Sequence, residues 1–197
     1  MNNSKKMSTY KLAVGAVLTA LVIILQYMGS FIKFGPFSIS LVLIPIVIGT
    51  AVCGKWIGTW LGFVFGIVVL ISGDASAFLA INVPGTVITV LLKGALCGLA
   101  AGFVYELFYK IFKKNSYLAT LFAAITCPLV NTGVFLLGCS VFFMDTIKEW
   151  ALPTFGENVF KYMIFGLVGG NFIFELLVNI VFSPVIVRVM KAVKKGR

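Results

Sequence analysis

Residues 43–66 read LIPIVIGTAVCGKWIGTWLGFVFG, two apolar runs parted only by Gly54-Lys55. A link of two residues between apolar helices makes a tight antiparallel hairpin. The runs are too uniformly apolar for barrel strands, whose side chains alternate between lipid and lumen. In hydrocarbon every backbone N–H and C=O must be paired internally, so such segments are helices.

The rest of the chain repeats this pattern. Of its 197 residues 60% are hydrophobic and 11% charged, too few polar groups to cover a soluble domain of this length. Apolar segments predict helices at about 10–29, 38–53, 56–72, 84–109, 117–143 and 162–190. The expected fold is an all-α membrane protein, a single compact bundle of six transmembrane helices over residues 1–197. The first run, 12–28, is long for a signal peptide and lacks a small-x-small cleavage site, so it reads as a retained helix.

Six spans put both termini on one side. With the termini inside, Lys5, Lys6, Lys11, Lys55, Lys110, Lys113, Lys114, Arg188, Lys191, Lys194, Lys195 and Arg197 face the cytoplasm. Lys33, Lys148 and Lys161 face outward. Cytoplasmic loops carry the excess of Lys and Arg, so both termini are expected to be cytoplasmic. The formal charge of +10 therefore reads as membrane orientation and headgroup contact, not as a nucleic-acid surface.

Two glycine ladders recur at a spacing of four, Gly58, Gly62, Gly66 and Gly94, Gly98, Gly102. Each forms a stripe on which helix backbones can approach closely, and both are expected to pack within the monomer. Ala16 and Ala20 form a similar stripe on the first helix, suited either to internal packing or to a partner. Cys53, Cys97, Cys127 and Cys139 lack CxxC spacing and read as small packing residues. The chain has no histidine, which removes His-based triads and His-zinc sites.

Two charges fall inside spans, Lys93 and Glu175. Each costs roughly 2.5–3.5 kcal/mol on insertion scales, so each should face the bundle interior, a cavity or a partner. Thr86, Thr89 and Lys93 share one face of the fourth helix, and Asn171, Glu175 and Asn179 recur every four residues on the sixth. Pro128 interrupts the fifth helix, with Asn131 one turn beyond it. Lys93 and Glu175 either pair with each other or converge on a pocket between the fourth, fifth and sixth helices. The links SGDASAFLAINVPG and MDTIKEWALPTFGENVF would form its mouth. Trp150, Phe155 and Phe160 could stack on a ligand there or anchor the chain at the interface.

In these features the chain resembles the substrate-binding S components of energy-coupling factor (ECF) vitamin transporters. The resemblance rests on the six helices, Ala16 and Ala20, the 43–66 hairpin, NTGVFLLG and NFIFELLVNIVFSPVIVRV. Many members carry Gly-Pro at the hairpin, where this chain has Gly54-Lys55. The resemblance implies high-affinity capture of a vitamin or precursor outside a prokaryotic plasma membrane, with no catalysis by this chain. It implies docking through Ala16 and Ala20 onto a transmembrane coupling protein that carries two ATPase subunits. ATP is then used by those partners, and the chain contains no GxxxxGK[ST] phosphate loop of its own. Lys93, Asn131, Asn171 and Glu175 would line the pocket, with Asn82 and Trp150 at its mouth. A pantothenate-like ligand, its carboxylate on Lys93, is the first expectation; riboflavin, folate and base precursors stay open. Two rivals are a self-sufficient ion-coupled transporter with Glu175 as proton carrier and a structural six-helix protein of envelope assembly.

Overall fold

The computed structural model describes residues 9–30, 33–34, 37–38 and 41–195. Its main elements are the helices α1 (Thr9–Gly29), α2 (Leu43–Cys53), α3 (Lys55–Ile71), α5 (Val83–Ile111), α6 (Ser116–Phe142) and α9 (Gly169–Lys195). Shorter helices connect them, α4 (Ser76–Leu79), α7 (Met144–Phe155) and α8 (Val159–Lys161). The strands β1 (Lys33–Phe34) and β2 (Phe37–Ser38) form a small antiparallel ribbon. Among the described residues four helices are long and apolar enough to cross a membrane, α1, α5, α6 and the Gly169–Ala192 part of α9. The protein is thus an all-α, multi-pass membrane protein.

Three segments depart from the sequence reading. The second helix starts at Leu43, not at 38, because the backbone of Ser38 pairs with Lys33 in the ribbon. At 11 residues α2 is about 17 Å long, shorter than a hydrocarbon core, and nearly all of it is buried among neighbouring helices. The link read as a loop between the fifth and sixth helices is mostly the helix α7, whose Ile147 and Ala151 are buried. The sixth helix is divided. A π-helical turn (Tyr162–Leu167) ends at Val168, and α9 follows. Gly169 sits at this break, and a Cβ there would press on the carbonyl oxygen of Ile164.

The hairpin turn depends on Gly54, with φ 101° and ψ 171°, a backbone region essentially restricted to glycine. The N–H of Gly54 closes α2 on the carbonyl of Thr50, and its carbonyl accepts from Gly58 to open α3. Lys55 therefore occupies a first-turn position where proline would also fit, since no helical N–H bond is required there.

The glycine ladders of α3 and α5 face each other. A Cβ on Gly62 would overlap the carbonyl of Gly94, and one on Gly98 the carbonyl of Gly58. A Cβ on Gly66 would come within 2.9 Å of the Val90 carbonyl. The two backbones thus touch along several turns, gaining the van der Waals contact that drives helix association in lipid. The four cysteines are buried and unbridged, as packing residues are.

The interior divides into two apolar clusters. One joins α1, α2, α3, α5, α6 and α9 through residues such as Val22, Leu43, Leu61, Cys97, Ala123 and Ile186. The other, built on Phe78, Phe135, Phe143, Ile147 and Leu167, lies where α4 and α7 close the far end of the bundle. Large apolar side chains such as Val17, Leu137, Val141 and Phe165 stay exposed, as a lipid-facing surface requires.

Gly94→Ala should destabilise the protein by about 1–3 kcal/mol, the usual cost of overpacking. Gly133→Ala, whose added Cβ meets nothing within 4 Å, should be neutral or slightly stabilising. Thermal unfolding in detergent distinguishes them; equal melting temperatures would refute the backbone contact.

Candidate functional site

A cavity lies between the two apolar clusters, at the end of the bundle formed by the C-terminal parts of α1, α3 and α6 and the start of α5 and α9. It opens to the outside of the bundle, and the space free of protein atoms is about 590 Å³ when the open mouth is counted. Its wall comes from Gln26 on α1, Phe65 and Val69 on α3, and Thr86, Thr89 and Lys93 on α5. Asn131 and Phe135 on α6 and Asn171 and Glu175 on α9 complete it, while Asp74, Phe78 and Phe143 close the end. The mixture of lining groups, apolar and aromatic with a few convergent polar groups, suits a small polar organic molecule.

The polar side chains reach the cavity for reasons of helix geometry. On α5 the glycine face is turned to α3, which leaves Thr86, Thr89 and Lys93 on the opposite side. On α9 the four-residue repeat places Asn171 above Glu175, and the Asn171 Nδ2 donates to Glu175 Oε1 at 3.1 Å. Asn179 continues this stripe away from the cavity, and its Nδ2 donates to the Glu175 backbone oxygen at 2.8 Å.

Lys93 and Glu175 both line the cavity, yet they form no ion pair within 4 Å among the described residues. The Lys93 ammonium instead lies 5.2 Å from the centre of the Phe135 ring and 5.6 Å from that of Phe65. Ring faces hold a cation by electrostatic attraction but leave its N–H donors unspent. The same cavity wall holds buried acceptors that no protein group meets, Thr89 Oγ1, Asn131 Oδ1, Asn171 Oδ1, Glu175 Oε2 and Gln26 Oε1. A buried acceptor left unpaired costs about 1–3 kcal/mol, so the wall presents a cation and a set of acceptors to be met by something inside it.

The structure brings together Lys93, Asn131, Asn171 and Glu175, the four residues expected in the pocket. Asn82 and Trp150 lie outside the lining. Asn82 is the N-cap of α5 and accepts from the N–H of Gly85 at 2.9 Å. Trp150 packs edge-on against Phe78, with ring centres 5.6 Å apart, and so supports the cover from behind. Phe155 packs on Tyr162, and Phe160 points outward, 76% exposed.

The pocket is wider than the three helices expected. Gln26 and Asp74 contribute from the first helix and the α3–α4 link, and the Gln26 Nε2 donates to an Asp74 carboxylate oxygen. An amide near the end of an otherwise apolar run was the available signal for Gln26. Nothing in the local sequence separates Asp74 from the surface acid Asp145.

A second feature lies on the side of the bundle. Ala16 and Ala20 are exposed rather than packed inside. Ala16 lines an apolar groove between α1 and α3 with Leu12, Thr19, Trp56 and Trp60. The Trp60 indole N–H donates to Thr19 Oγ1 at 3.2 Å, which fixes one wall of that groove.

A cavity with a few convergent polar groups inside a bundle of apolar helices, beside an exposed small-residue face, fits the substrate-binding part of a membrane transporter. The chain belongs to the family of ECF transporter substrate-specific components, whose pattern it matches over residues 10–189. It is 24% identical to the pantothenic acid transporter PanT of Lactococcus lactis subsp. cremoris (strain MG1363), over 93% of this chain and 94% of that protein. The chain is accordingly a transporter subunit and not an enzyme.

The position of Asn82 separates a capping role from a binding one. Asn82→Ala should cost about 1 kcal/mol of stability through loss of the cap. Ligand affinity, read by calorimetry on the folded protein, should stay within about threefold of wild type.

Proposed function

We propose that this chain captures a pantothenate-like carboxylate from outside the cell and hands it to an ATP-driven ECF importer. The observation that carries this reading is the Lys93 ammonium. It faces a ring-lined cavity and has no carboxylate partner among the described residues. A ligand carboxylate placed there would form a charge-assisted pair in surroundings of low dielectric. The ligand's hydroxyls and amide N–H would meet Asn131 Oδ1, Asn171 Oδ1, Thr89 Oγ1 and Glu175 Oε2, which have no hydrogen-bond partner in the protein. A ligand lacking those donors would leave the acceptors buried and unsatisfied, and this gives specificity. The similarity to a pantothenic acid transporter supports the same ligand class.

In this reading the bundle crosses a prokaryotic plasma membrane six times. α2 spans only part of the thickness as a helix, enclosed by its neighbours. The excess of Lys and Arg at the end that holds the termini supports cytoplasmic termini, so the cavity opens outward. The chain needs no cofactor itself. A transmembrane coupling protein would dock on the exposed α1 face at Ala16 and Ala20, and two ATPase subunits attached to it would hydrolyse ATP.

Titration of the purified chain with a panel of vitamins tests the ligand assignment. Pantothenate should bind with a 1:1 heat signal, and Lys93→Ala should weaken it by about tenfold or more. Because Lys93 and Glu175 are not paired, the Lys93→Ala/Glu175→Ala double variant should show no recovery over the single variants. Binding of riboflavin or folate in place of pantothenate would overturn the assignment.

Docking is tested separately. Ala16→Trp should abolish uptake into vesicles holding this chain with its coupling protein and ATPases, while leaving ligand affinity unchanged. Uptake by vesicles holding this chain alone would instead favour an ion-coupled carrier.

A further inference from the structure

The α1 side of the cavity carries a polar pair that the ligand reading above does not use. Gln26 is 1% exposed, its Nε2 donates to Asp74, and its Oε1 has no hydrogen-bond partner. Both residues line the cavity. A glutamine amide can rotate by half a turn and exchange donor for acceptor. The Asp74 carboxylate accepts but cannot donate, so it holds Nε2 toward itself and leaves Oε1 as the acceptor. A buried amide oxygen aligned in this way can read the presence of a single donor.

Lys93 lines the same cavity, so one wall carries a cation and another an oriented amide acceptor.

We propose that Gln26, held in orientation by Asp74, is a specificity-determining residue that accepts a hydrogen bond from a hydroxyl of the ligand. The site then selects carboxylates that also carry a hydroxyl donor. Asp74 is a positioning residue, acting through Gln26. This rests on the assignment of a pantothenate-like ligand to the cavity.

Calorimetry with the full chain in detergent tests it, using pantothenate and two analogues that each lack one of its hydroxyl groups. Wild type should bind one of the two analogues about tenfold or more weaker than pantothenate. Gln26→Met, which keeps the length and loses the acceptor, should bind pantothenate and that analogue equally. Asp74→Ala should reduce the same discrimination while retaining binding of both, and it serves alone should Gln26→Met fail to fold. Discrimination unchanged in the folded variants would overturn the role of Gln26 while leaving the ligand assignment intact. An equal loss for both ligands with the ratio preserved would overturn it too, as a structural effect. Wild type that binds none of the three overturns the parent assignment and this inference with it.

Discussion

The contact between the backbones of α3 and α5 governs the rest of the molecule. With glycine at 58, 62, 94 and 98 no side chain separates the two helices, and each carbonyl sits where a Cβ would otherwise be. Such closeness permits only one rotation of α5 about its axis. That rotation commits Thr86, Thr89 and Lys93 to the opposite side, toward α6 and α9. The same stripe that holds the bundle together therefore aims the polar side chains at a common volume.

What fills that volume follows from the cost of polar atoms in hydrocarbon. Acceptors that no protein group meets are satisfied by water or by a ligand in the cavity, while the bundle around them is held by the two apolar clusters on either side. Lys93 lies near the rings of Phe65 and Phe135 and forms no ion pair with Glu175 within 4 Å, so its N–H donors stay available inside the cavity. Unmet hydrogen-bonding capacity in a rigid frame favours a ligand that satisfies all of it at once, the physical basis of selective capture at low concentration.

The cover and the flank divide the remaining tasks. Phe78 contacts Phe135, Phe143 and Trp150 edge-on, so α4, α6 and α7 close over the cavity as one packed unit. The α1 flank is different in kind. There Ala16 and Ala20 lie exposed, and Ala16 shares a groove with Gly15, Trp56 and Trp60. Small residues let another helix approach closely in lipid. α1 also carries Gln26 in the cavity, so one helix takes part in both the ligand site and the exposed face.

Long apolar runs, the Gly54 turn, the glycine periodicity and the placement of basic residues were legible along the chain, because each is a local or periodic property. Lys93, Asn131, Asn171 and Glu175 were legible too, since a charge or an amide inside an apolar run carries its own explanation requirement. Segment ends were less so. The ribbon at Ser38, the helical lid at Met144–Phe155 and the π turn before Gly169 depend on contacts that a linear pattern does not display. Three things were decided only by the tertiary structure. Asn82 was committed to capping a helix, Gln26 and Asp74 joined the site from opposite ends of a 48-residue separation, and Lys93 and Glu175 faced one cavity without pairing. The reason is common to all three: hydrogen bonds and ion pairs act over a few ångströms, and only packing determines which distant side chains come that near.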